Sequence, residues 1–509
     1  MKFEFRTFSR FQKLIFSGAV GLAFCINLGA QDSYNFHEIL TASSPSTSRS
    51  KEWKPGDGVA LEVSGMAWMG DGKLAVATRK GDIWIIDGVL SDKPDDVKFS
   101  LFASGLHEPL GLTKEGDDLL TTQRSEVTRL RDKDGDGVAD GYLTEADGWN
   151  VSGAYHAYAY GPELDGAGEY WVTLNLDMGP HTNNHIGWRG WGGTIGKDGK
   201  FQPQSFGMRS PSGMGANAAG DLFFSDQQGT WIPATPIYHL RKGVFYGNQE
   251  SAKGQEIEGS PMKIEMPKAN VPYPQALRSS KEFVPPAVWL PYNKVGRSGT
   301  DVQLIDADGK FGPFDGQLLI GEFTNAGVNR VFLEKVGGEY QGACFPFLSG
   351  FPAAVLRLEF SDDGPLFVGM TNRGWSSLGN RSYGLVRVDY DPKVPPFAIQ
   401  EMRAKSDGFE LKFTQPVDRE TVLAAGAFEL ENYTYQYSQK YGGDEIQKQI
   451  LKIELPVVSN DGLTVRLKVD GLREFYVHEL RTKGIKSASG GKSLDSPTAY
   501  YTLNQIPPK

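Results

Sequence analysis

A short pair of strands recurs along most of the chain, and no other feature of the sequence restricts the fold as strongly. In the first copy, a turn leads into an alternating apolar run at 73–78, and a second run follows at 82–87. Further copies, some of them only the first half of the unit, lie at 115–130, 166–174, 220–226, 315–322 and 363–370. Alternating apolar residues between Gly and Asp turns are typical of β-strands joined by tight connections.

The number and spacing of these copies predict the architecture. Most of the six copies begin about 45–55 residues apart, with one longer gap between 226 and 315. Repeats of this length are typical of a β-propeller, so we expect an all-β chain with six small antiparallel sheets, or blades, around one axis. The 62 Gly and 29 Pro among 509 residues agree with many tight turns. A β-sandwich with coincidental turn spacing is the alternative.

The chain divides at a proline-rich stretch. We expect the six-bladed propeller to span 31–390, a stiff linker to cover 391–396, and a second domain to cover 397–509. In that last part, apolar runs flank 406–408 and 460–462, which both end in Asp-Gly and are turn signals for hairpins. These features predict a small β-sandwich of immunoglobulin-like shape.

The first 30 residues have the pattern of a secretory signal peptide. Basic residues precede an apolar run at 14–28, and Gly29-Ala30 supplies a small-residue cleavage site. We therefore expect export to the periplasm or the extracellular space, with cleavage near Ala30. The alternatives are an uncleaved anchor or a lipid attached through Cys25, although the bulky Phe24 before the cysteine disfavours the lipid.

Charge and cysteine content exclude several functions. The formal net charge is −9 and no basic cluster follows the leader, so nucleic acid and anionic membrane surfaces are not expected as partners. Cys344 is the only cysteine after residue 30, which leaves no internal disulfide and no Cys-x-x-Cys-His haem site. No later apolar run approaches the roughly 20 residues that a membrane span needs, so we expect no transmembrane span in the mature chain.

An acidic loop at 132–140 matches a calcium-binding pattern. Its candidate ligands stand at positions 1, 3, 5, 7 and 9 of the loop: Asp132, Asp134, Asp136, Val138 (through its backbone) and Asp140. Glycine at position 6 permits the sharp turn that brings hard oxygen ligands onto one ion. Position 12, where an EF-hand has a bidentate glutamate, is Leu143. We predict a structural calcium ion here, and the alternative is a solvated acidic turn.

Several polar residues stand where predicted strands begin or end, which is where propellers gather ligand-binding side chains. His156 precedes a predicted strand, Arg124 and Arg209 lie in turns beside predicted strands, and Asn372 and Arg373 follow another. A histidine in such a place is suited to act as a general base, and arginines are suited to bind an anionic cofactor or substrate. The alternative is that these residues tie neighbouring blades together through hydrogen bonds.

Seven segments together resemble one known group of proteins. They are LHEPLGL (106–112), TQR (122–124), RLRDKDGDG (129–137), YHAY (155–158), GWRGW (187–191), PYNKVGRS (291–298) and TNRGW (371–375). The group is the membrane-bound dehydrogenases of planctomycete and verrucomicrobial bacteria, which are distant members of the soluble quinoprotein glucose/sorbosone dehydrogenase superfamily. The resemblance covers about residues 55–390, and the C-terminal part resembles a module that follows some of these propellers.

The resemblance implies an activity and a cofactor. In the sugar dehydrogenases of that superfamily, a histidine removes a substrate hydroxyl proton while hydride passes to pyrroloquinoline quinone (PQQ), and calcium polarises the quinone. His156 matches the base, and Arg209-Ser210-Pro211 matches a cofactor motif with Ser210 in place of Asn. The resemblance thus implies oxidation of a sugar or other small polyol, with electrons leaving to a separate acceptor. The pocket that it implies is lined by His107, Arg124, Arg209, Asn325, Asn372 and Arg373.

The sequence departs from the superfamily pattern at several cofactor contacts. The segment 323–327, which should carry a quinone-binding lysine, has none. The expected arginine pair falls near Ala354 and Leu356 and leaves only Arg357. PQQ carries three carboxylates, so the missing cations remove much of its electrostatic anchor.

Two functions therefore remain open. The chain is either a sugar or alcohol dehydrogenase with His156 as its base, or a non-catalytic propeller that binds carbohydrate or another exported protein. Convergence of His156, Arg209 and Asn325 in one pocket would favour the enzyme.

Overall fold

The structure is a computed structural model of the 509-residue chain. It describes residues 32–40, 61–93, 96–178, 187–372 and 375–509, so the predicted signal peptide lies outside the described residues. The regular secondary structure of the described residues is almost entirely β-strand, with only three short helices, which confirms the prediction of an all-β protein. The first strand is β1 (Tyr34–Leu40).

Four antiparallel sheets of four strands follow β1. The first contains β2 (Val63–Gly70), β3 (Lys73–Thr78), β4 (Ile83–Asp87) and β5 (Lys98–Ala103). The second contains β6 (Thr113–Glu115), β7 (Asp118–Thr122), β8 (Glu126–Arg131) and β9 (Gly141–Asp147). The third contains β10 (Ala159–Leu164), β11 (Tyr170–Leu174), β12 (Trp191–Ile195) and β13 (Phe201–Phe206). The fourth contains β14 (Gly213–Ala216), β15 (Leu222–Ser225), β16 (Thr235–His239) and β18 (Val288–Leu290).

Two further sheets complete this part of the molecule. One begins with β19 (Gly299–Leu304), β20 (Leu318–Glu322), β21 (Gly327–Val336) and β22 (Glu339–Leu348). The next contains β23 (Val355–Phe360), β24 (Leu366–Thr371), β25 (Tyr383–Tyr390) and β1. The strand β1 pairs antiparallel with β25, with Tyr34 opposite Tyr390. The first strand of the chain therefore completes the last sheet.

The first strands of these sheets form a closed ring. The strands β2, β6, β10, β14, β19 and β23 contact one another in that order, and β23 contacts β2. A Cβ atom on Gly65 in β2 would lie 2.6 Å from the carbonyl carbon of Gly111, so only glycine fits at this close approach. The ring encloses a cavity of about 490 Å³. Second strands such as β7, β15 and β24 are buried along their whole length, so both of their faces pack inside the molecule, whereas the alternating pattern predicted one buried face.

The C-terminal part adds two layers of strands. One sheet contains β26 (Ile399–Lys405), β27 (Gly408–Phe413), β31 (Thr464–Lys468) and β30 (Val457–Val458). The other contains β29 (Glu445–Leu451), β28 (Phe428–Tyr437), β32 (Tyr476–Thr482) and β33 (Thr498–Leu503). The helix α2 (Arg419–Leu423) is capped by Asp418, whose side chain accepts hydrogen bonds from two backbone N–H groups. Because β33 pairs with β22, the second layer continues into the ring of sheets.

The expected hairpin turn at 406–408 joins β26 to β27 in the register of a hairpin. The turn at 460–462 joins β31 to β30, which is only two residues long. Apolar residues of both layers share one cluster that includes Phe409, Leu480 and Tyr501. No helix in the described ranges is long and apolar enough to cross a membrane.

The long gap in the repeat lies between β16 and β18. It holds a 3-10 helix (Gln249–Glu256), β17 (Val271–Pro272) and α1 (Tyr273–Leu277). The strand β17 pairs with β28, and the Tyr273 and Trp289 rings pack edge to face with centroids 5.2 Å apart. This insertion therefore fastens the C-terminal strands to the fourth sheet.

Candidate functional site

Strand direction places the predicted pocket residues at one end of the ring. Within each sheet, neighbouring strands run in opposite directions. The connection from the second to the third strand of a sheet therefore lies at the same end of the ring as the connection from its fourth strand to the next sheet. We call this the upper end, and it carries every predicted pocket residue that the structure describes: His107, Arg124, His156, Arg209, Asn325 and Asn372. The remaining predicted residue, Arg373, lies outside the described residues.

His156 lies in the connection between β9 and β10 and is partly exposed to solvent. The ring of Tyr155 packs edge-on against it, with centroids 5.0 Å apart. Burial lowers the pKa of His156, a hydrogen bond with the Met178 backbone opposes this shift, and the charges of Arg209 and two other arginines lower the pKa further. The neutral imidazole is therefore favoured at pH 7, and this is the form that a general base needs.

Glu108 holds the two other arginines in place. Nε of Arg79 lies 3.2 Å from one oxygen of the Glu108 carboxylate, and Nε of Arg124 pairs with the other oxygen. Partial burial raises the pKa of Glu108, but the hydrogen bonds and charges of Arg124 and Arg79 outweigh that effect and lower it. Arg124 also donates hydrogen bonds to the carbonyls of Ala154 and Tyr155, at 3.0 and 2.7 Å. Arg124 thus fixes the segment that leads into the histidine.

Tyr158 lies between the same two arginines. The Cζ atoms of Arg79 and Arg124 are each 4.9 Å from the centroid of its ring, and Arg79 donates a hydrogen bond to its hydroxyl. Burial raises the pKa of Tyr158 well above its ordinary value, so the phenol stays protonated at neutral pH. Tyr158 packs against Leu110 and Tyr160, and Leu110 also lines the central cavity. One apolar layer therefore forms both the floor of the upper end and part of the cavity wall.

Arg209 is a buried cation that forms no ion pair within 4 Å with a carboxylate of the described residues. Only 9% of the residue is exposed, and its Nε has no hydrogen-bond partner among those residues. The nearby Asp226 carboxylate is occupied by backbone N–H groups, including those of Arg209 and Ser210 at 2.8 and 2.6 Å. A buried charge is costly unless it is neutralised, so Arg209 indicates a place for an anionic ligand.

The other predicted pocket residues are engaged in local structure. The side-chain oxygen of Asn372 accepts hydrogen bonds from Ala354 N and Ser377 Oγ, at 2.9 and 2.8 Å. The backbone N–H of Asn325 donates to the buried carboxylate of Glu322 at 2.5 Å. His107 is exposed, and within the described ranges none of these three residues hydrogen-bonds to His156. The structure thus brings His156, Arg124 and Arg209 together, while Asn325 shares only their end of the ring.

Sequence reasoning did not single out three residues of this site: Arg79, Glu108 and Tyr441. Arg79 follows Thr78 at the end of β3, much as Arg124 follows 122–123 after β7, so an alignment of the repeats could have found it. Tyr441 belongs to the C-terminal part, and nothing in the sequence signals that it lies over Arg209, with its ring centroid 5.2 Å from Cζ.

The predicted calcium loop lies at the opposite end of the ring, in the connection from β8 to β9. Carboxylate oxygens of Asp132, Asp134 and Asp136 lie within 4.8 Å of one another. Backbone N–H groups, first that of Gly137, lower the pKa of Asp132 despite an opposing effect of burial. Asp140 accepts a hydrogen bond from Lys133 N at 2.8 Å, which closes the loop. A cation bound here would have no contact with the upper end.

The central cavity carries three partly buried carboxylates, those of Glu163, Asp301 and Glu359. Burial and the negative charges of Asp301 and Glu359 raise the pKa of Glu163 to about 8. Burial also raises the pKa of Glu359 to about 8 and that of Asp301 to about 6, the latter against the charge of Arg357. Nη1 of Arg357 is 3.9 Å from Oδ1 of Asp301. At neutral pH these shifts favour the protonated form of Glu163 and Glu359, whereas Asp301 is mostly ionised.

The protein is similar to several solved structures. The fold is similar to the apo form of the soluble aldose sugar dehydrogenase of Escherichia coli, with 13% identity over 70% of this chain and 100% of that chain and a TM-score of 0.47. It is similar to the PQQ-bound aldose sugar dehydrogenase of Streptomyces coelicolor, with 13% identity over 70% and 98% and a TM-score of 0.46. It is also similar to the PQQ domain of the pyranose dehydrogenase of Coprinopsis cinerea in its holo form, with 12% identity over 70% and 96% and a TM-score of 0.46. No protein-family model matches the chain, and no curated protein matches it.

Proposed function

We propose that the protein is an exported oxidoreductase of the glucose/sorbosone dehydrogenase type, which oxidises a sugar or another small polyol. In this proposal the sheets around the ring are the blades of a six-bladed propeller spanning 31–390, and 397–509 form an immunoglobulin-like sandwich after the linker 391–396. The closed ring of first strands and the completion of the last sheet by β1 support the propeller.

The observation that carries the activity is the neutral imidazole of His156 beside the unpaired cation of Arg209. A neutral imidazole is suited to take the proton of a substrate hydroxyl, and a fixed cation nearby stabilises an anionic group in the same site. Arg124 and Tyr155 hold the ring of His156 in position, through hydrogen bonds to its loop and through edge-on packing. The role that we assign to His156 is therefore that of the base.

PQQ is the cofactor that this activity requires, and the residues of the upper end fit its charge. The buried guanidinium of Arg209, whose Nε has no hydrogen-bond partner among the described residues, would hold one carboxylate, and the guanidinium groups of Arg79 and Arg124 lie at the same end of the ring. Bound PQQ supplies a hydride acceptor at the site. Because Asn325 and the neighbouring segments lack the cations of the superfamily, we expect these arginines to provide most of the electrostatic attraction.

The proposal includes two further partners. A calcium ion at Asp132, Asp134 and Asp136 would stabilise the connection from β8 to β9, and its distance from the upper end assigns it a structural role. Electrons would leave to a separate acceptor, since the sequence has no haem motif.

The test is a titration of the mature protein with PQQ in the presence of calcium, followed by tryptophan fluorescence, together with dye reduction driven by sugars. We expect saturable binding by the native protein. The variant His156→Ala should bind PQQ as the native protein does and lose dye reduction by about 100-fold or more. His37→Gln, in the closing strand β1, is the matched control and should keep both properties.

Absence of saturable PQQ binding to the native protein would overturn the quinone mechanism and favour a non-catalytic propeller. Retention of dye reduction in His156→Ala would remove His156 from the mechanism.

A further inference from the structure

A loop of the C-terminal part reaches the upper end of the ring. The segment 438–444 joins β28 to β29 and lies against the connection between β15 and β16. Thr230 and Tyr441 form an isolated antiparallel bridge. Gly442 N donates to Gly229 O, and Gly443 N donates to Pro233 O, both at 2.9 Å. Backbone hydrogen bonds thus attach this loop to the wall of the site.

The contact surfaces of the two segments are closely matched. A Cβ atom on Gly442, which has a φ of +67°, would lie 2.7 Å from Nε2 of Gln228. A Cβ atom on Gly229 would collide with Nε of Arg209. Glycine at both positions lets the loop, its docking segment and the guanidinium lie in direct contact.

Tyr441 covers Arg209 from outside. Its ring centroid is 5.2 Å from Cζ of Arg209, a distance at which a guanidinium is attracted to the face of an aromatic ring. The tyrosine itself remains 57% exposed, so part of the ring faces solvent beside the cation. A tyrosine that only filled a domain interface would be buried, whereas this one leaves an aromatic surface next to the unpaired charge.

We infer that Tyr441 is a specificity-determining residue of the His156 site, and that the C-terminal part thereby controls which anionic ligands reach Arg209. The ligand class is a carboxylate on a flat, unsaturated framework: the carboxylate pairs with the guanidinium, and the framework packs against the exposed part of the Tyr441 ring. The identity of that ligand as PQQ rests on the proposed function, whereas the cover that Tyr441 provides for Arg209 does not.

Two measurements test this inference. The first is the PQQ titration, carried out on Tyr441→Ala, Tyr441→Phe and Tyr476→Ala. Tyr476 is the matched control because it lies in the same C-terminal part over another arginine, Arg473, with Cζ 3.9 Å from its ring centroid. We expect Tyr441→Ala to weaken PQQ binding about 3- to 10-fold, and we expect Tyr441→Phe and Tyr476→Ala to bind within about twofold of the native protein.

The second measurement needs no cofactor. Phenylglyoxal modifies accessible arginines, and peptide mass spectrometry gives the rate at Arg209. We expect that rate to rise several-fold in Tyr441→Ala, and to stay at the native value in Tyr441→Phe and Tyr476→Ala.

The outcomes separate the two proposals. If the native protein does not bind PQQ but Tyr441→Ala speeds the modification of Arg209, the proposed cofactor is wrong. The inference that Tyr441 covers Arg209 is then still supported. An unchanged modification rate in Tyr441→Ala overturns the inference, whatever the result with PQQ. Unchanged PQQ affinity in Tyr441→Ala, when the native protein binds PQQ, overturns the assignment of Tyr441 to specificity.

Discussion

The Nζ atom of Lys294 lies 2.7 Å from Oε1 of Glu445 and joins the ring of sheets to the C-terminal part. Lys294 stands in the connection from β18 to β19, and the same ammonium group also pairs with the nearly buried Glu479. The two parts of the chain therefore meet through a charged contact as well as through the shared sheet.

Lys294→Met should destabilise the protein. The substitution leaves the Glu445 and Glu479 carboxylates without this cation in a largely buried place, and we expect the free energy of unfolding to fall by about 1–3 kcal/mol. Chemical denaturation at pH 7 measures the change. Lys242→Met, which removes a partner of Glu169 in an exposed pair, is the control and should cost less than about 0.5 kcal/mol.

The effect of Lys294→Met should depend on pH. Burial raises the pKa of Glu445, but the hydrogen bonds and charges of Lys294 and Lys448 together lower it by more. The net shift of the pKa is therefore downward. A carboxyl group with a lowered pKa in the folded state stabilises the protein above its unfolded pKa, and this contribution is lost as the pH falls through the folded pKa. The difference between the native protein and the variant should therefore shrink below about pH 4. A difference that stays constant from pH 7 to pH 3 would contradict this account.

The charge of Arg209 should contribute to the lowered pKa of His156. Burial is the largest cause of that shift and the charge of Arg209 adds to it, so Arg209→Gln should raise the pKa part of the way toward the ordinary value of about 6.5. Histidine NMR titration measures it directly, without cofactor or substrate. Arg241→Gln is the crossed control, because Arg241 acts on His239 and should leave His156 unchanged.

Gly229→Ala should displace Arg209. The new Cβ atom would collide with the buried Nε of the guanidinium, so the arginine has to shift from its place under Tyr441. We expect a stability loss of about 1–3 kcal/mol and PQQ affinity weakened in parallel with the loss of the Arg209 contact. Gly153→Ala is the control: it lies in the same end of the ring, and nothing lies within 4 Å of a Cβ atom there. Equal behaviour of the two variants would mean that Arg209 tolerates the shift.

Calcium should stabilise the protein without changing its catalysis. If the loop at Asp132 binds calcium, an ion concentration 100-fold above the dissociation constant adds about 2.7 kcal/mol and raises the Tm. Asp132→Asn should abolish this shift, because its carboxylate lies within 4.8 Å of two others in the loop. Asp71→Asn, in the turn between β2 and β3, is the control. Loss of sugar oxidation in Asp132→Asn, with the fold intact, would contradict the structural role.

Glu163→Gln should stabilise the protein at high pH. The pKa of Glu163 is raised to about 8 in the folded state, whereas it is about 4.5 in the unfolded chain. Between these two pH values the folded state holds a proton that the unfolded state releases, so the free energy of unfolding falls as the pH rises. Glutamine removes that loss, which should add about 4 kcal/mol at pH 8 and less than about 1 kcal/mol at pH 5. Denaturation curves at both values decide the matter, and an equal effect at pH 5 and pH 8 would show that the charge is not the cause.

The repeated strands were predictable because their signals are local. Apolar runs that follow turns of Gly and Asp mark β3, β7 and β24, and each of these strands pairs with neighbours close to it in the sequence. The pairing of β1 with β25 leaves no such signal, since the two strands are separated by most of the ring. The same holds for the pairing of β33 with β22.

The candidate site shows a similar division. The sequence predicted that His156, Arg124 and Arg209 stand at strand ends, and the strand order and direction seen in the structure place all three at one end of the ring. The pairing of Glu108 with two arginines and the cover of Arg209 by Tyr441 depend on side-chain packing between distant segments. Neither follows from residue spacing.

The place of β1 in the last sheet has a consequence for how the protein is made. A ribosome, or an export channel that passes the chain from its N-terminus, delivers β1 first and its partner β25 after every other strand of the ring. Until Tyr390 arrives opposite Tyr34, the ring has an open seam and β1 has no partner strand there. A chain that ends before β25 therefore cannot form the β1–β25 pair. The last strand of the ring to be made is the one that pairs with the first.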